Sequence, residues 1–227
     1  MGVNELLLRP EWFISIESWF FIISVLITLA ISFYAYKVYK ITNNKRYKYM
    51  AIGFFAMGVG FLLQLFTSFI VIEYNRLILY EIFKYVKLNY FYTGGLILYA
   101  FFVLSCYVIL ACLASKVSNK RVIISLLLIA LLSALLIRQA RSFTFFYFFS
   151  FVLLVVYIVP HMYDNYNTKK SKNSFLVFLS FLLLTMANLV FLGMSSYRAF
   201  DLYILGHFIS LLAYIILLIS FILVLKK

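Results

Sequence analysis

Within the long apolar runs of this chain, side chains able to do chemistry are few, and four stand out: Glu17, Gln64, Asn188 and His207. An ionisable or amide group set among Phe, Leu and Ile is unfavourable in hydrocarbon, so each is a functional candidate. Together they offer a carboxylate, two amides and an imidazole, which recognise a small polar molecule by charge and hydrogen bonding. The segment from Tyr90 to Gly95 adds the phenol of Tyr92, and its Gly94 and Gly95 permit close backbone approach. The expected ligand-binding residues are therefore Glu17, Gln64, Tyr92, Asn188 and His207. The competing structural account has Gln64, Asn188 and His207 joining helices by hydrogen bonds while Glu17 reaches up to water.

Other chemistry is argued against by what the sequence lacks. Motifs for phosphate binding, zinc hydrolysis or a serine nucleophile elbow are missing, and no intramembrane Asp pair suggests a protease or ion pump. The last apolar run has no lysine between Leu202 and Leu225 to carry a retinal Schiff base. His161, which follows Pro160, lies roughly 20 Å along the membrane normal from His207 at 1.5 Å per residue, too far to share a metal or haem. Cys106 and Cys112 are six residues apart in one run, which is not a same-face helical spacing, so no disulfide joins them. Neither a cofactor nor an enzymatic activity is expected.

The elements that must position these residues follow from composition. The chain is 66% hydrophobic and 12% charged over 227 residues, whereas soluble proteins are about 45–50% apolar and about 25% charged. Apolar runs recur along its whole length, unlike a secretory signal. A bilayer core about 30 Å thick needs about 20 apolar residues. Seven segments suit it: Phe13–Tyr36, Met50–Ile72, Phe91–Ser115, Val122–Ile137, Phe143–Tyr163, Phe175–Met194 and Leu202–Leu225. The expected fold is all-α, a polytopic integral membrane protein with one seven-helix transmembrane domain over 1–227. The fourth segment is the shortest and meets the fifth after a tight Arg138–Arg141 turn, which leaves six or eight spans open. Pro160 is expected to end or kink the fifth helix.

Charge assigns the sides, because lysine and arginine are retained in the cytoplasm. Of the 20 cations, 13 fall in alternate connections that hold Lys37 to Lys48, Lys116 to Arg121, Lys169 to Lys172 and the terminal Lys226 and Lys227. Six of the seven acids, including Glu17 and Asp201, fall on the other side. The N-terminus is expected outside and the C-terminus in the cytoplasm of a multi-pass cell-membrane protein. On this reading Glu17, Gln64, Asn188, His207 and the start of the third helix share one layer of the outer half. The net charge of +13 then reports topology and headgroup contacts, and no nucleic acid is expected. Glu73–Tyr90 has the pattern of a short amphipathic helix on the outer interface. Trp12, Trp19, Tyr34, Tyr36, Tyr39, Tyr47 and Tyr49 read as interfacial belts. Gly53, Gly58 and Gly60, with Ala51 and Ala56, suit close helix packing within the bundle or between protomers.

The basic first loop KVYKITNNKRYK and the last-helix phrase YILGHFISLLAY, from Tyr203 to Tyr214, give the chain a layout that resembles the seven-helix sensor modules of microbial histidine kinases and diguanylate cyclases. Free-standing uncharacterised seven-helix proteins of archaea are similar in build. The resemblance implies a sensor or receptor-like protein that binds a small molecule or lipid in an outer-half pocket. Since the sequence ends at Lys227 without a kinase, cyclase or coiled-coil output, the signal is expected to pass to a separate cytoplasmic partner or a homo-oligomer. A small transporter or permease, and a non-catalytic assembly subunit, are the alternatives from other classes.

Overall fold

In hydrocarbon every backbone N–H and C=O must be bonded within the protein, and an α-helix achieves this within one segment. The computed structural model describes residues 11–75, 88–117, 119–137, 143–197 and 200–225, and these residues are helical with no strand among them. The helices are α1 (Glu11–Thr42), α2 (Lys45–Asn75), α3 (Leu88–Ala114), α4 (Lys120–Leu135), α5 (Thr144–Lys169), α6 (Lys172–Tyr197) and α7 (Phe200–Leu225). All but α4 are long and apolar enough to cross a membrane, so the chain is an α-helical multi-pass membrane protein. α4 has 16 residues, which is about 24 Å of helix. The expected interfacial helix over Glu73–Tyr90 falls largely on residues 76–87, and the Arg138–Arg141 turn on residues 138–142; both stretches lie outside the described residues.

Several helices outrun the apolar segments that announce them. α1 continues past Tyr36 to Thr42, and α2 begins at Lys45, well before Met50. Hydropathy marks only the hydrocarbon-embedded turns, while helical hydrogen bonding persists where Lys and Tyr tips meet headgroups. The connection between α1 and α2 thereby shrinks to Asn43 and Asn44. Asn43, Lys116 and Lys170 close α1, α3 and α5 in the left-handed conformation, at φ of 50°, 54° and 46°. Asn44 and Asn119 then cap α2 and α4, accepting the N–H groups of Arg46 and Arg121, each at 3.0 Å.

α5 does not end at Pro160. Its first part, Thr144–Leu153, leads through a π-helical turn, Leu154–Ile158, into Val159–Lys169. Proline has no N–H to give, and its ring crowds the carbonyl four residues back. The wider turn just before it, in which the Val159 N–H reaches Leu154 O, accommodates that ring without breaking the helix.

Each helix touches the next in the chain, α7 returns to α1, and α3 also meets α5, so the elements close into a ring. α4 lies at its periphery, with Ala130 and Ala134 buried and Ile124, Leu128 and Leu132 exposed. Leu26, Phe33, Phe66, Phe148 and Phe208 face outward in the same way, the surface expected of a bundle solvated by lipid. Close packing inside is set by small and hydroxyl residues. Ser24, Thr28 and Ser32 form one buried stripe of α1, and the Ser32 hydroxyl donates to Ala51 O of α2 at 2.8 Å. A Cβ on Gly58 would sit 2.8 Å from Leu29 of α1, and one on Gly60 would sit 3.2 Å from Tyr99 O of α3. The small residues of α2 thus serve contacts inside the bundle. Cys106 and Cys112 are buried free thiols.

Candidate functional site

Residues three, four and seven apart share one face of a helix, and two such stripes face each other across α1 and α7. Glu17, Phe20, Phe21 and Ser24 descend α1, while Tyr203, His207, Ser210 and Tyr214 descend α7. Glu17 and Tyr203 are both buried, and the Tyr203 hydroxyl donates a hydrogen bond to Glu17 Oε1, closing the ring between its first and last helices. One turn deeper, His207 is ringed by aromatic side chains. Tyr203 meets it edge-on at a centroid distance of 4.5 Å, Phe191 at 5.2 Å and Phe21 at 5.8 Å, while Phe20 stacks on it at 5.8 Å.

Below this ring lies a small cavity of about 40 Å³, walled by Phe20, Phe21 and Phe191 and by Ser24, Asn188, His207 and Ser210. That volume holds roughly two or three water molecules. Tyr99 and Tyr107 of α3, Phe61 of α2, Phe146 and Tyr147 of α5, and Tyr214 of α7 complete the wall, so six of the seven helices contribute. Asn188 spends its amide N–H on Leu184 O at 2.8 Å, within its own helix. Tyr107 and Tyr214 line the same cavity as Asn188, carrying the polar strand to mid-bundle. Gly206 makes room for the wall, since a Cβ there would lie 2.6 Å from the Phe191 ring, which itself stacks on Tyr147 at 4.8 Å.

No protein-family model, curated protein or solved structure matches this chain.

The five residues singled out by type and depth are thus dispersed. His207 and Asn188 line the cavity, and Glu17 stands two contacts away, through Tyr203 and then His207. Gln64 is buried but does not line the cavity; its amide approaches Ser68 at 3.5 Å, and its Oε1 has no hydrogen-bond partner. Tyr92 packs with Ile70 and Leu96 in a separate cluster between α2 and α3. Gly95 does allow close approach, but to Thr67 of α2, whose Cγ2 would stand 2.1 Å from an added Cβ, while Gly94 faces open space. The tyrosines Tyr99, Tyr107, Tyr203 and Tyr214 were hidden among the many aromatics that serve as belts and packing. What distinguishes Tyr203 and Tyr214 in sequence is their spacing of four and seven from His207, which puts all three on one stripe.

A second, larger cavity of about 390 Å³ opens at the other end of the bundle, among the α1–α2 connection, the ends of α3, α5 and α7, and the start of α6. His161 lines it, as do Arg46 and Lys169. Among the described residues, no three His, Cys, Asp or Glu side chains come together as metal ligands would.

Proposed function

We propose that the protein is a receptor-like sensor with seven membrane-spanning helices, its N-terminus outside and its C-terminus in the cytoplasm of a cell membrane. The observation that carries this reading is the buried contact between Glu17 and Tyr203, whose ring packs on His207 in the wall of an aromatic-lined polar cavity. A small molecule or lipid that takes the place of Tyr203 on Glu17, or swings Phe20 and Phe191 off His207, shifts α7 against α1. α7 carries that shift to the basic end, where its Ser220, Phe221 and Val224 line the larger cavity. A ligand acts in this way only through its different affinity for the two arrangements. The likeness of layout to the sensor modules of histidine kinases supports the same reading, with a separate cytoplasmic partner or a second copy of the chain receiving the signal.

The seven-span topology is supported by the shared rim of the larger cavity. The ends of α3 and α5 meet there, which favours a return of the chain across the membrane between them, with α4 as the element to make it. The basic connections at that rim favour the cytoplasm.

The reading is tested by thermal-shift screening of the purified protein in detergent against lipids, amino acids, sugars and metal ions, repeated with Glu17→Gln and His207→Ala. Stabilisation by one compound, lost in both variants while their ligand-free melting is preserved, is the expected result. A broad panel without stabilisation, with both variants as stable as the parent, overturns it.

A small permease is the second reading, favoured by one observation: a ligand-sized cavity with exposed Asn44, Arg46 and Lys169 at one end, and closely packed aromatic rings at the other. A cavity that opens at one end of the bundle is what one state of an alternating-access cycle presents. Uptake of solute into proteoliposomes separates the two readings.

A further inference from the structure

The larger cavity differs from the aromatic one in size, charge and position. At about 390 Å³ it falls within the roughly 300–1,000 Å³ typical of small-molecule sites. Its rim carries Asn44, Arg46, His161, Asn165, Lys169 and Asn173, above an apolar floor that includes Leu110, Val177 and Phe221. None of the described residues lining it is acidic. Arg46, Lys116 and Lys169 all bear electrostatically on His161, and exposed Asp164 opposes them from outside the lining.

Two permanent cations converging on a concave surface without a lining carboxylate create a field that an anion neutralises. The helix ends add no net positive field, because α2 starts at Lys45 and α6 at Lys172 beside the rim while α3, α5 and α7 end there. Their first turns are already partly capped, by Asn44 Oδ1 on the Arg46 N–H and by Ser171 Oγ on the Ser174 N–H. The charge and the direct donors are therefore those of side chains. The Arg46 guanidinium is a planar fork matched to two oxygens of one phosphate, and Lys169 adds a point charge. Asn173 lines the cavity with a buried Oδ1 that has no hydrogen-bond partner. A half-turn of that amide presents two N–H donors instead.

We propose that this cavity binds a phosphate group carried on a partly apolar body, with Arg46 and Lys169 holding the phosphate, Asn173 donating to it, and the floor around Leu110, Val177 and Phe221 receiving the remainder. Two cations match a phosphate near two negative charges better than a single carboxylate does, and the floor leaves room that inorganic phosphate alone would not fill. The same chemistry has two sources, the headgroup of an anionic membrane lipid and a soluble phosphomonoester. The site stands apart from Glu17 and His207, so it holds whether or not the aromatic cavity binds anything.

The test uses the full chain in nanodiscs of neutral phosphatidylcholine, with melting temperature as readout. Glycerol 3-phosphate is titrated as the soluble probe, and phosphatidic acid is mixed into the discs as the lipid probe, both against sulfate and chloride at equal ionic strength. Stabilisation by one of the phosphate probes beyond the salt controls is expected, with apparent affinity reduced about tenfold or more by Arg46→Gln or Lys169→Gln. Lys37→Gln and Lys48→Gln, which change basic residues outside the cavity lining, are expected to retain it. A response to glycerol 3-phosphate identifies a soluble ligand, and a response to phosphatidic acid alone identifies a lipid. The proposal is overturned if neither probe exceeds the salts, or if the Lys37 and Lys48 variants lose the response as fully as the cavity variants. Helicity and ligand-free melting of each variant exclude misfolding as the cause of a loss.

Discussion

Glu17 is the residue whose surroundings say most, because a carboxylate buried between α1 and α7 is favourable only with hydrogen-bond donors close by. Tyr203 supplies one of them. Removing its hydroxyl by Tyr203→Phe is expected to destabilise the protein by about 0.5–2 kcal/mol, the span of interhelical and charge-assisted hydrogen bonds. A double-mutant cycle with Glu17→Ala, read by thermal denaturation in detergent, should give a coupling energy of at least ~0.5 kcal/mol; additivity of the two losses would show that the pair does not act together. Asn188 and His207 belong to the same polar strand, whereas Gln64 and Tyr92 chose neighbours elsewhere. Residue type and depth made all five candidates, and only the rotation of each helix about its axis separated them.

At the scale of elements, contact distance is governed by where side chains are missing. Gly94 and Gly95 are consecutive on α3, yet an added Cβ at Gly95 would collide with Thr67 of α2 and one at Gly94 would meet nothing within 4 Å. Gly95→Ala is therefore expected to destabilise by about 1–3 kcal/mol, as overpacking does. Gly94→Ala should be neutral or stabilising by up to ~1 kcal/mol, through helix propensity. Comparing the two melting temperatures checks the α2–α3 seam, and equal effects would contradict its geometry. α5 shows the same economy of space: the π-helical turn before Pro160 keeps one continuous helix where a proline signals a break. Its continuation to Lys169 brings His161, Asn165 and Lys169 to the basic cavity.

Across the whole molecule, the two cavities differ in the way the charge distribution suggests. The end rich in Lys and Arg holds the larger, polar-rimmed cavity, and the opposite half holds the small aromatic one. The proposed topology of seven spans with a cytoplasmic basic end makes a direct prediction for labelling by a membrane-impermeant maleimide. Single cysteines at Ser142→Cys and Asp201→Cys should react on intact cells, and those at Lys120→Cys and Lys172→Cys only after lysis. The native Cys106 and Cys112 are buried and leave the background low. Equal labelling of Lys120→Cys and Ser142→Cys on one side would mean that α4 does not cross.

Hydropathy alone was enough to read a helical membrane protein, because 66% apolar residues in recurring runs have no other stable solvent. It also located the helix centres and the few polar groups within them. Helix ends were less legible, since hydrogen bonding continues past the point where apolar residues stop, as at Thr42, Lys45 and Lys169. Rotational setting was not legible at all: these helices are apolar nearly all round and so carry little amphipathic signal to orient them. That setting decided which polar side chains meet. It put the Tyr203 hydroxyl on a carboxylate 186 positions away, turned Gly95 onto Thr67, and gathered Arg46, His161, Lys169 and Asn173 from three helices around one cavity. Such meetings depend on packing between segments distant in the chain, and local sequence does not encode them.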